Sequence, residues 1–119
     1  FGALVAAQEA SKRMIPVGKG AIFFTGATAS LKGFSGSSVF AMGKFALRGL
    51  SQSLYRELSP QGIHVAHFII DGVVNKSDLV ENSDDFTSAA IAKTYMTVLK
   101  QPKQAWSHEI ELRPNYEKF

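Results

Sequence analysis

Apolar residues recur along the chain with two alternating periods. Residues 3–14 set Leu4, Ala7 and Met14 at helical intervals, close with the cations Lys12 and Arg13, and are stopped by Pro16 and Gly18. Ala21 to Phe24 is a short apolar run of the kind a parallel sheet buries on both faces, which predicts a strand over 20–24. Thr25 to Gly36, rich in Gly, Ser and Thr, predicts a loop. The helical period returns at Ser37 and holds to about Ser59, where Pro60 and Gly62 end it. Ile63 to Ile70, β-branched and aromatic, predicts a second buried strand. A polar loop over 73–86 precedes a helix from Thr87 to Leu99, and a last strand spans Ser107 to Leu112, halted by Arg113-Pro114. Helix and strand alternating three times predict a parallel α/β layer with right-handed connections. Open sheets of that kind take ligands beyond the carboxyl ends of their strands, so the loop after the first strand is where chemistry is expected.

The long helix presents three faces. Turned through the helical period, Val39, Ala46, Leu50 and Leu54 form a stripe expected to face the sheet. Phe40 and Lys44, one turn apart, lie on a neighbouring strip near the N-terminal end, where both reach toward the sheet edge. Ala41, Met42, Phe45, Gly49 and Ser53 make a third face whose small residues admit another helix.

Composition narrows the partners. With 119 residues, 45% apolar and 19% charged, the chain is sized for one compact domain. The net charge of +3 comes from scattered Lys and Arg interrupted by acids, not from a clustered stripe, so nucleic acid is not an expected partner. No apolar run reaches membrane-spanning length, no signal peptide is visible, and no cysteine is present, so a soluble cytoplasmic protein with no membrane partner is expected. His64 and His67, three apart on a strand, point to opposite faces and are read as hydrogen-bonded sheet residues, with His108 remote in sequence; no metal site is expected. Trp106 and the terminal ELRPNYEKF read as packing and tail.

Two stretches carry candidate chemistry. Thr25-Gly26-Ala27-Thr28-Ala29-Ser30 imitates the start of a dinucleotide fingerprint, but its third glycine is missing and the following acid, Asp71, lies too far along. The helix reads Phe40-Ala41-Met42-Gly43-Lys44 and continues as GKFALRGLSQSLYREL. With the preceding strand and loop, this segment resembles the second half of a short-chain dehydrogenase/reductase, over nearly the whole chain and most strongly from Gly20 to Gly72.

The resemblance implies the C-terminal half of a Rossmann-like doubly wound parallel sheet, with three strands and three helices present and the cofactor-binding half upstream of Phe1, including an Asn just ahead of it. In that family a Ser ends the strand and a helix carries Tyr-x-x-x-Lys; here the tyrosine position is Phe40, the serine position is Ala27, and the lysine is Lys44. Phe40 has no proton to donate to a carbonyl oxygen, and Ala27 has no hydroxyl to bind it. Thr28, beside the serine position, is the candidate substitute, with Thr25, Ser30, Ser37 and Ser38 as further nearby hydroxyls; Tyr55 is too far down the helix. Cofactor contacts are implied for Lys44, Asp71, Gly72 and Val74. Asp71 replaces a usual proline and either meets a ligand or caps the following turn, and Lys76 stands where a cofactor-contacting Thr is usual, with Ser77 beside it.

The implied parent is an NAD- or NADP-dependent oxidoreductase acting on a small-molecule carbonyl or alcohol, while the 119-residue piece alone is expected to be inactive and to bind no cofactor. The alternative is a non-catalytic Rossmann-like scaffold that binds a nucleotide or a partner protein. A homo-oligomer formed through the helices at 3–14 and 37–58 is expected, helped by an unpaired edge on the strand at 20–24.

Overall fold

The computed structural model describes residues 1–75 and 85–119. Its element order is α1 (Gly2–Met14), β1 (Gly20–Ala27), α2 (Ser38–Leu58), β2 (Ile63–Ile70), α3 (Ser88–Leu99) and β3 (Glu109–Leu112). Short 3-10 turns follow β1, α2 and α3, at Thr28–Ser30, Ser59–Gln61 and Lys103–Ala105. The three strands pair in the order β1-β2-β3, all parallel, from Gly20↔Ile63 to Ala27↔Ile70 and from His67↔Glu109 to Ile70↔Leu112. This is the parallel α/β layer that the pattern of elements predicts, and the Rossmann-like open sheet that the resemblance implies.

The sheet divides two cores. On one face Ala7, Phe24, Leu58, Ile63 and Val65 pack with Leu47, Leu50, Leu54 and Tyr55, so α1 and α2 lie there. On the other, Ala66, Phe68 and Val98 pack with Phe23, Ile70, Tyr95, Ile110 and Leu112, beneath α3. β2, central and covered on both faces, is buried from Ile63 to Ile69, which explains its near-continuous apolar sequence. Thr87 starts α3 by accepting the Ala90 amide at 3.1 Å.

Three expectations need correction. First, β1 runs to Ala27 and not to residue 24, because its polar end keeps pairing with β2. Gly26 makes this possible: a Cβ there would collide with the His67 ring and the Ser30 hydroxyl. Second, the sheet-facing side of α2 is set by Ala41, Ser51 and Leu58, which are buried, whereas Val39 is 80% exposed. Leu50 and Leu54 do pack on the core, but Ala41 leaves the face assigned to it. Hydropathy misplaced the stripe because polar groups face inward with their own partners: Ser51 Oγ donates to the Arg48 carbonyl at 2.8 Å, and Arg48 pairs with Glu109. Third, β3 starts at Glu109, since Ser107 is bonded to Gln101 and His64 outside the ladder.

His64 and His67 are sheet residues on opposite faces of β2. His64 stacks on Trp106 at 4.7 Å and bonds the Ser107 carbonyl at 2.7 Å, while His67 reaches Glu109. His108 comes close in space despite its distance in sequence, bonding the Val65 carbonyl at 3.1 Å and lying 4.6 Å from Tyr55. The tail folds back so that Phe119 lies 4.3 Å from Lys32 Nζ and 4.5 Å from the Arg113 guanidinium. Among the described residues no helix is long and apolar enough to cross a membrane.

Gly62, at φ 86°, closes the turn from α2 into β2, and a Cβ there would collide with the Gly18 carbonyl oxygen. Gly62→Ala is therefore expected to cost about 2 kcal/mol or more, combining left-handed strain with the clash. A urea melt of the variant beside the parent checks this; an unchanged midpoint would show that the turn relaxes freely.

Candidate functional site

The carboxyl ends of β1 and β2 and the first half of α2 converge. Lys44, half-buried on α2, donates from Nζ to the Thr25 carbonyl oxygen at 3.2 Å. Phe40, one turn earlier, has its ring 5.6 Å from the same ammonium and is 55% exposed. The one-turn spacing thus brings the two side chains together, and Lys44 reaches β1 at Thr25. Ala27, last residue of β1, gives its amide to Ser30 Oγ at 3.1 Å and offers a methyl group where a hydroxyl would be needed.

Thr28 is not idle. Its hydroxyl donates to Asp71 Oδ1, and Arg113 Nε donates to Asp71 Oδ2 at 3.1 Å while its Nη2 bonds Glu111 at 2.7 Å. Asp71 is 4% exposed, and its own amide donates to the Leu112 carbonyl at 2.8 Å. The carboxylate therefore ties the β1 exit to the β3 exit through side-chain donors. Burial pushes the Asp71 carboxyl up, but the Thr28 hydroxyl and the Arg113 guanidinium together outweigh it and hold it below its ordinary value. With its proton committed to this carboxylate, Thr28 has none to offer an incoming carbonyl oxygen in this arrangement.

The other hydroxyls sort by burial. Thr25 Oγ1 lies 2.7 Å from Tyr95 Oη on the α3 face, and Ser30 is fully buried. Tyr55 packs near His108, far from Phe40, as its spacing requires. Gly72 serves packing, since a Cβ on it would press on Phe86 and Pro114. Val74 faces a cavity of about 560 Å³ lined also by Thr25, Ile70, Ile91, Tyr95 and Met96. A second groove of about 550 Å³ runs between α1 and α2, past Leu4, Val39, Phe40 and Lys44. Of the four implied cofactor contacts, Lys44 and Val74 thus present surface to open space, while Asp71 and Gly72 are engaged inward. Lys76 and Ser77 lie outside the described residues, as does most of the 73–86 loop.

Sequence reasoning missed one network. Glu109 accepts Arg48 Nη2 at 2.8 Å, Arg48 Nε at 3.0 Å and His67 Nδ1 at 3.2 Å. Burial pushes the Glu109 carboxyl up, yet the bonds from Arg48 and His67 hold it below its ordinary value. For His67, fully buried, burial disfavours the charged ring more than Glu109 favours it, so its pKa is lowered. Arg48 sits one turn beyond Lys44, the only hint the sequence gives of this network.

Residues 1–87 match the family profile described as short chain dehydrogenase, and the chain belongs to that family of oxidoreductases. A solved short-chain dehydrogenase from Rhodopseudomonas palustris is 46% identical, with a TM-score of 0.78 over 94% of this chain and 46% of that one. Short chain aldehyde dehydrogenase 1 of Euphorbia lathyris is 38% identical over 65 residues, which is 55% of this chain and 23% of that protein. The closed form of a serine dehydrogenase complexed with NADP+ shares the fold, with a TM-score of 0.86 at 16% identity over 99% of this chain and 53% of that one. The chain spans about half the length of these solved relatives.

Asp71, Glu109 and His67 each bind fewer protons folded than unfolded. The stability each adds is present above its unfolded value and is lost as pH falls through the lower folded one. Unfolding free energy is expected to fall below the ordinary histidine value of 6.5, and again below the carboxyl values of 4.5 and 3.8. Urea melts at about pH 8, 6 and 4 check the order, and constant or rising stability on acidification would contradict these assignments.

Proposed function

We propose that the chain is the C-terminal half of an NAD(P)-dependent oxidoreductase acting on a carbonyl or alcohol, with Lys44 as its cofactor-holding residue. The observation that carries this reading is the Lys44 ammonium poised over the carboxyl end of β1, where an open α/β sheet takes its ligand. The ammonium carries three donors and uses one on Thr25, so two remain for ribose hydroxyls, and the donor set fits a nicotinamide nucleotide. When bound, that group would supply the hydride acceptor or donor. The NADP+ complex of the similarly folded serine dehydrogenase supports the choice of ligand class.

This chain's own residues hold and orient more than they donate. Lys44 places positive charge near the strand end, Phe40 supplies an apolar wall beside it, and Asp71 with Arg113 fixes the loop that Thr28 begins. Phe40 and Ala27 lack hydroxyls and Thr28 is committed, so none of these three supplies the proton for the carbonyl oxygen. That same lack favours a second reading, a nucleotide-binding scaffold without turnover.

The test uses the full-length protein. Lys44→Met is expected to weaken NADP+ or NAD+ binding about tenfold or more in a fluorescence titration, the worth of a charged hydrogen bond. Undiminished affinity would remove Lys44 from the cofactor site. Phe40→Tyr combined with Ala27→Ser separates the two readings: hydride transfer that appears only in the double variant identifies the parent as a scaffold, whereas activity already present and unchanged places the proton donor elsewhere.

The exposed apolar residues Val39, Met42 and Phe45 support the further proposal that α1 and α2 pack against a second copy. Light scattering at micromolar concentration is expected to give a dimer or larger species; a sharp monomer would dismiss it.

A further inference from the structure

Three elements that carry the Lys44 site meet at one carboxylate. Glu109, first residue of β3, binds the Arg48 guanidinium through both oxygens and His67 Nδ1 through one of them. Its side chain is 22% exposed, that of Arg48 33%, and that of His67 is fully buried. A two-pronged guanidinium bond of this kind fixes direction as well as distance. Arg48 lies one helical turn beyond Lys44, so the bond sets how far α2 stands along the sheet, and with it the point at which Lys44 Nζ meets the Thr25 carbonyl.

The second arm runs through His67. Glu109, ionised, takes the proton-bearing Nδ1, which leaves Nε2 as an acceptor. Nε2 is buried without a partner. It lies against Gly26, at the place a Cβ would fill, and Ser30 Oγ borders that same space. Ser30 in turn accepts the Ala27 amide at 3.1 Å. The Ser30 hydroxyl and His67 Nε2 thus border one space beneath the end of β1, with no hydrogen bond between them. Glu109 connects to α2 through one arm and, through the other, to the His67 ring that packs against Gly26, the neighbour of Ala27.

We propose that Glu109 is the positioning residue of this site, holding the Lys44 ammonium and the end of β1 at Gly26 and Ala27 in register with each other through Arg48 on one side and the His67 ring packed against Gly26 on the other. Calling the positioned site a cofactor site rests on the reading of Lys44 given above; the coupling itself does not. Glu109 touches neither reacting atoms nor cofactor in this arrangement, and its effect passes through Arg48 and His67.

The experiment compares the full-length protein with Glu109→Gln and Glu109→Asp by nitrogen-15 NMR of the His67 ring, the Lys44 side chain and the Thr25 and Ala27 amides, followed by NADP+ titration. Glu109→Gln keeps the shape and removes the charge. The expected result is loss of the fixed Nδ1–H signature of His67, displaced Lys44, Thr25 and Ala27 resonances, and about tenfold weaker NADP+ binding, with partial recovery in Glu109→Asp. A lower urea midpoint with the Lys44 and Ala27 resonances unmoved would overturn the proposal, since that is what a merely structural ion pair gives. If Glu109→Gln does not fold, Arg48→Lys, which keeps the charge but not the two-pronged geometry, takes its place with the same expected shifts at Lys44, and unmoved Lys44 resonances there overturn the proposal equally. Absence of NADP+ and NAD+ binding in the parent would sink the cofactor reading alone, and the resonances would still decide the positioning role.

Discussion

Everything in this structure hangs on the burial of β2 between β1 and β3. A strand covered on both faces leaves its backbone no water to bond, so each of its amides and carbonyls must be matched by a neighbouring strand. β1 supplies that match along its whole length, from Gly20 to Ala27. The demand is strong enough to draw Thr25, Gly26 and Ala27 into the ladder although they read as a turn, and it thereby decides where the candidate site begins. The site is the point at which pairing stops: Ala27 is the last paired residue, and Thr28 turns away toward Asp71.

The second organising fact is charge buried near the sheet. Neither Asp71 nor Glu109 stands alone; each has a guanidinium on it, and each has a further hydrogen-bond donor, a hydroxyl in one case and an imidazole in the other. Removing one partner from such a cluster is costly because the remaining charge keeps its desolvation penalty. The two carboxylates also divide the labour. Asp71 binds loop to strand exit, and Glu109 binds helix to sheet.

Much of the fold was legible because it follows local periodicity. The apolar run at Ile63–Ile70 and the Pro-Gly stop before it place β2 to the residue, and the spacing of Phe40 and Lys44 sets them side by side. The phase of α2 was not legible, because its inward face includes Ser51 and its pairing with β3 runs through Arg48, which hydropathy counts as surface. The network around Glu109 was hidden for a different reason. Its partners lie 61 and 42 residues away, and those of Asp71 lie 43 and 42 away, so no local pattern brings them together. Family resemblance supplied the roles of Phe40, Ala27 and Lys44, whereas the inward engagement of Asp71 and Gly72 is a property of the folded chain.

Gly26 and His67 share one side chain's worth of volume. Neither residue is explained by its own backbone: the glycine lies in a regular strand, and the histidine is buried where an aliphatic side chain would serve packing. Together they form a lock and its clearance. A larger residue at 26 therefore needs room from both the His67 ring and the Ser30 hydroxyl. The constraint runs one way: the glycine is required by the histidine, whereas a smaller residue at 67 would leave a void and no clash.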